Sequence, residues 1–236
     1  MSMLTKRVRS LLILTALGGM GSGCAAARQT YLTPNYQTRD RTHVIRLEVV
    51  TAPADPSEGI DTALVTSAVL DMWGVMAQRY LNDHRDFLVV HRQALSSSSP
   101  ELTRTADPRT QASRLAQSGC KERIQGRLVL IGQVMRRGDE AQIQMWTELR
   151  RCSQPTKITN PNLQSQRIWS AEVDHISASA DSVLVTLRRQ YVKRFGASVS
   201  DFAAPSFLAI KKLFELTPRP KLTRDEDVIE KIELEY

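Results

Sequence analysis

Aromatic residues make up only 6% of this 236-residue chain, and it holds only 3 cysteines. A disulfide-dense scaffold is therefore excluded, and so is a nucleic-acid module built on aromatic stacking between basic residues. No apolar run approaches the 20 or so residues that a membrane-crossing helix needs; the longest, residues 11–20, is half that. The 11 glycines and 10 prolines are too few for a low-complexity or collagen-like chain. The four histidines, His43, His84, His91 and His175, are scattered, with no pair at one-turn spacing and no His-Glu-x-x-His run. No phosphate-cradling glycine loop occurs, and the 96–99 serine run lacks the glycines of a nucleophile elbow and reads as a linker. What is present is ordinary for a globular protein: 42% hydrophobic and 24% charged residues, enough for one core without disulfides.

The first 23 residues carry Lys6, Arg7 and Arg9, then the apolar stretch 11–20, then Gly21-Ser22-Gly23 before Cys24. That is the charged, apolar and small-residue order of an export signal. The Cys directly after small residues resembles a bacterial lipobox, which implies cleavage before Cys24 and acylation of that residue. The alternative is an ordinary secreted protein cut near Ala27, with Cys24 lost. Several acyl chains on one residue give stable attachment where one chain does not, and Ala25 after the Cys implies sorting to the outer membrane. Without the signal the formal charge falls from +7 to +4, and an exported location keeps the chain from nucleic acid. Residues 24–42 show no apolar periodicity and are expected to be a lipidated tether.

Alternation at 44–50, with Ile45, Leu47 and Val49 on one side and Arg46 and Glu48 on the other, predicts a half-buried strand. Asp61 is a candidate N-cap for a helix whose Val65, Val69, Met72, Met76 and Tyr80 recur at helical spacing. A short apolar run at 87–90 predicts a second strand, parallel to the first through a right-handed crossover. A second helix is expected near 107–118. A hairpin over 124–135 and 141–151 follows, with Ile143, Met145, Thr147 and Leu149 sharing a face, and Gly126 and Gly132 marking a close backbone approach or a bulge. Then come a strand at 167–176 with Trp169, Ala171 and Val173 inward, and a helix capped by Asp181 with Leu184, Leu187, Tyr191 and Phe195 in one stripe, ended by Gly196. The order is βαβαβββα, an α+β mixed sheet covered by helices on one face.

Over 43–196 that order, with Gln125-Gly126-Arg127, the Gly138-Asp139 turn and Arg167-Ile168-Trp169-Ser170-Ala171, resembles the fold shared by the N-terminal domain of TolB and outer-membrane lipoproteins such as CsgG. The extension 197–236 is similar to the ending of an uncharacterised outer-membrane lipoprotein family of myxobacteria and related Gram-negative bacteria, which implies no activity. Its apolar Phe202, Phe207, Ile210, Leu213 and Phe214 are expected to cover an open part of the sheet or to dock a partner. A final helix from Arg224 is expected to pack on its own domain or on a partner. The acidic run Asp225, Glu226, Asp227, Glu230, Glu233 and Glu235 lacks calcium-loop spacing and reads as a solvated face.

Cys120 and Cys152 fall at the same end of the hairpin, since position 152 lies across from about 125; in an oxidising periplasm they are expected to form a disulfide, the alternative being two buried thiols. Neither Cys has a second ligand at metal spacing, and no cofactor is expected. Two function classes stay open. One is a non-enzymatic scaffold, assembly or interaction module that binds a protein partner or itself in the envelope, and the other is a hydrolase of envelope polymers. A cleft holding two carboxylates at glycosidase spacing favours the second.

Overall fold

The computed structural model describes residues 26–34, 42–52, 64–95, 124–137, 140–152, 167–177 and 182–220. Its strands are β1 (Ala27–Leu32), β2 (Val44–Thr51), β3 (Leu88–Leu95), β4 (Gly126–Arg137), β5 (Glu140–Arg151) and β6 (Arg167–Ile176). Its helices are α1 (Ser67–Arg85), α2 (Ser182–Phe195) and α3 (Ala203–Glu215), with a 3-10 turn at Ala197–Val199. The six strands form one mixed sheet in the order β1-β6-β5-β4-β2-β3. β2 runs parallel to β3 and β4, and the β4-β5-β6-β1 contacts are all antiparallel. The fold is α+β.

Helix α1 begins later than the sequence suggests. Its N-cap is Thr66, whose hydroxyl accepts from the Val69 N–H at 3.4 Å, and Asp61 lies outside the described residues. The helix closes at Asp86, left-handed at φ 57°, with His84 and Arg85 in its last turn where the helix dipole favours cations. Its buried face includes Val69, Met72 and Met76, as the spacing predicts, and also Trp73, a fully buried side chain. The Trp73 ring lies over Gly132 of β4, where a Cβ would come within 2.4 Å of a ring carbon. The close approach at Gly132 is thus a side chain, not a backbone. From there the Trp73 Nε1–H donates to Ser206 Oγ of α3 at 2.6 Å, joining the two helices over the centre of the sheet.

α3 covers β5, β6 and β1 with Ile210, Leu213 and Phe214, while α1 covers β2 and β3. One core results, with Ile45, Leu47, Val49, Leu128, Leu130, Ile143, Met145, Leu149, Trp169, Ala171 and Val173 facing the helices. α2 packs on α3 and α1 through Leu184, Leu187 and Tyr191, and Gly196 ends it at φ 93°, a conformation that glycine adopts without cost. The expected helix near 107–118 and the segment from Arg224 lie outside the described residues.

Two strands differ from the sequence reading. The 24–42 segment expected to be a tether contains β1, bonded along its length to β6 with a bulge between Gln29 and Tyr31. The 87–90 run continues through His91, Arg92 and Gln93 to Leu95. Both are edge strands, and edges carry polar side chains that blunt unwanted pairing, so neither shows the apolar alternation of a covered strand.

Candidate functional site

The sheet's second face carries no helix among the described residues, yet its middle is buried. Val50, Ala52, Val129, Ile131 and Trp146 make a small apolar patch there. Beside it the register lines up like charges. Arg46 of β2 lies opposite Arg127 of β4, Arg127 opposite Arg150 of β5, and Arg150 opposite Arg167 of β6, so four adjacent strands each place an arginine in one row. Like charges directly opposite one another destabilise a sheet, so the row needs carboxylates between its members.

Two glutamates supply them, each two residues along a strand from an arginine and therefore on the same face. Glu48, 1% exposed, lies 3.0 Å from Arg46 Nε through one oxygen and accepts from Arg127 Nη2 with the other. Glu148 accepts from Arg150 Nε at 2.5 Å and has Arg167 Nη1 at 3.9 Å. One carboxylate thus bridges the β2–β4 pair of arginines, and the other bridges β5–β6. At the far side Gln93 of β3 accepts from Arg46, and toward β1 the buried Glu172 accepts from Arg28 Nε. Further along, Gln133 donates to Gln144 and Gln144 donates to Asp174 at 2.6 Å.

The row opens toward solvent at its β6 end. There Thr30, Trp146, Thr147, Glu148, Arg167, Ser170, Ala171 and Glu172 line a pocket of ≈230 Å³. The Thr30 and Ser170 hydroxyls share a hydrogen bond of 2.8 Å, and the Arg167 guanidinium stacks 4.2 Å above the Tyr31 ring. Glu148 lies opposite Ser170 and Trp146 opposite Glu172, so the two glutamates are diagonal neighbours, about 7–8 Å apart along the backbone. Both carboxylates are already held by guanidinium groups, Glu148 by Arg150 and Glu172 by Arg28. Each is therefore one half of an ion pair.

Among the residues singled out from sequence, Cys152 is buried and disulfide-bonded, and its N–H donates to the Gln125 carbonyl at 2.8 Å, the position expected across the hairpin. Cys24 and Cys120 lie outside the described residues, as does the acidic run from Asp225. His43 is buried beside β2, and the His84 ring meets Tyr80 at 4.8 Å between centroids. Among the described residues no group of three His, Cys, Asp or Glu could hold a metal ion, and no helix is long and apolar enough to cross a membrane. The arginine row and its glutamates were not singled out from sequence. The signal was there in Arg46-Leu47-Glu48 and Glu148-Leu149-Arg150, opposite charges spaced so that both fall on one face.

No family model matches the chain, and no curated protein matches it. Among solved structures it is similar to the hypothetical protein CT253 from Chlamydia trachomatis, at 12% sequence identity, covering 81% of this chain and 96% of that one with a TM-score of 0.34. A likeness at that level assigns neither a family nor an activity.

Proposed function

We propose that this chain is an envelope lipoprotein, anchored in the outer membrane through acylated Cys24 and facing the periplasm, whose domain serves as a non-enzymatic scaffold or interaction module. The observation that carries the second half of this reading is the pairing of each pocket glutamate with an arginine. A face whose acids are spent on its own cations is built to hold five strands in register, not to transfer protons. The first half is supported by the 1–24 sequence and by Cys152, whose disulfide fits an oxidising compartment. The resemblance to TolB and CsgG noted in the sequence points the same way, although fold alone does not carry function.

One observation favours the second reading, a hydrolase of envelope polymers: two carboxylates share one pocket on neighbouring strands. Incubating the purified chain with peptidoglycan sacculi and assaying new reducing ends separates the two. The scaffold reading expects no release by the wild type. Release that disappears in Glu148→Gln or Glu172→Gln would overturn it. Labelling cells with an alkyne fatty acid tests the anchor, since the wild type should be marked and Cys24→Ser should not.

A further inference from the structure

The start of β1 fixes how far an anchored domain can stand from its membrane. Ala27 is the first residue of an edge strand bonded to β6, and it lies three residues beyond Cys24. Extended chain spans at most about 3.3–3.6 Å per residue, so Ala27 is held within roughly 11 Å of Cys24. The polar headgroup layer on each side of a bilayer is itself about 5–8 Å deep. The 24–42 segment expected to be a tether is not free chain throughout, because six of its residues form β1.

We propose that the bilayer surface covers the Ala27 end of the β1 edge, so that the domain lies directly on the headgroups; this rests on the reading that Cys24 is acylated. The chemistry of the edge fits a phosphate-bearing surface. β1 reads Ala-Arg-Gln-Thr-Tyr-Leu and has no acidic residue. The Arg28 side chain, next to Ala27, is 63% exposed. Its carboxylate partner Glu172 lies buried beneath, so this end of the edge turns a guanidinium outward and keeps the carboxylate in. Gln29, Thr30 and the outer backbone groups of β1 add hydrogen-bonding capacity suited to headgroups. The opposite corner points away. The β3 edge is five strand spacings across, about 24 Å, and its exposed Val90 sits near the other end of the strands, since Ile45, beside Val89, is paired with Gly126 while Ala27 is level with Val173 and Met145.

The test uses the full acylated chain with a fluorescent amino acid placed by stop-codon suppression at Gln29 or at Val90, both exposed positions. The protein is reconstituted into phosphatidylethanolamine–phosphatidylglycerol vesicles carrying a nitroxide on a fraction of the headgroups, and the mass of the N-terminal peptide is read from the same sample. With Cys24 acylated, quenching at Gln29 should exceed that at Val90 at least threefold. Equal quenching at the two sites on acylated protein would overturn the docking while leaving the anchor intact. An unmodified Cys24 would overturn the anchor itself and the docking with it.

Discussion

Replacing Glu48 by glutamine keeps the shape of the side chain and removes its charge, which makes it the sharpest probe of the arginine row. Glu48 is the carboxylate between Arg46 and Arg127, and those two lie directly opposite each other on β2 and β4. Breaking one partner of a buried pair costs about 3–5 kcal/mol in general. That loss of about 3–5 kcal/mol stands against a total stability of about 5–15 kcal/mol for a protein of this kind. Urea unfolding should show a lowered midpoint with an unchanged slope. Arg188→Ala is the contrast, because the Arg188–Asp201 pair is 50% and 60% exposed and should be worth under about 1 kcal/mol. Adding Arg127→Met to Glu48→Gln should return a large part of the loss, a coupling above about 1.5 kcal/mol. If Glu48→Gln costs no more than Arg188→Ala, the row is not held together by its glutamates, and the structural reading of this face fails.

Gly132→Ala should destabilise by about 1–3 kcal/mol through overpacking, since the new methyl meets a Trp73 ring that is buried and tied to Ser206; a smaller Trp73→Phe in the same chain should recover part of it in a thermal melt. Reducing the Cys152 disulfide should cost roughly 3–4 kcal/mol if its partner is Cys120, from closure of a loop of about 33 residues, and intact mass with and without reductant reads the pairing, two alkylatable thiols being the refuting result. Burial raises the Tyr191 pKa above 10.0, with Arg79 opposing. The folded state therefore holds its proton more tightly than the unfolded chain, so this contribution is whole below pH 10 and is lost as pH rises through the folded value. Urea midpoints should fall between pH 9 and pH 11, and less so in Tyr191→Phe.

What was legible in the sequence divides along the two faces of the sheet. Strands whose apolar side chains meet helices declared themselves: Ile143, Met145 and Leu149, then Trp169, Ala171 and Val173, alternate as expected and are all buried. The helix over 203–215 was placed by Ile210, Leu213 and Phe214, and it covers the sheet as one of its two readings held. Pattern was silent where a strand lies at an edge. Arg28, Gln29 and Thr30 of β1 and His91, Arg92 and Gln93 of β3 are strand residues because a neighbour offers them backbone hydrogen bonds, which no property of their own side chains announces. Trp73 escaped the helical stripe for a related reason: it is buried because β4 has Gly132 beneath it, a pairing between positions far apart in sequence.

The second face was misread more deeply. Alternation at 44–50 predicts a strand with Arg46 and Glu48 in water, and that is sound for a sheet with one covered side. β2, however, is flanked by parallel neighbours on both sides, and Glu48 ends 1% exposed. A charged residue in a strand is compatible with burial when the register brings an opposite charge alongside, and register is a property of the assembled sheet. Glu48 and Glu148 each lie two residues from one arginine and one strand from another, so a slip of one residue would turn a strand's share of the row to the other side and break every cross-strand pair. The row therefore makes register expensive to change across β2, β4, β5 and β6. β1 is held in register on β6 through Arg28 and Glu172 and through Thr30 and Ser170, and under the proposed acylation of Cys24 this register is what would carry the short distance from Cys24 to the orientation of the domain. A frayed β1 would add six residues, about 20 Å, to the chain between Cys24 and the sheet, and the docking proposed above would then be lost.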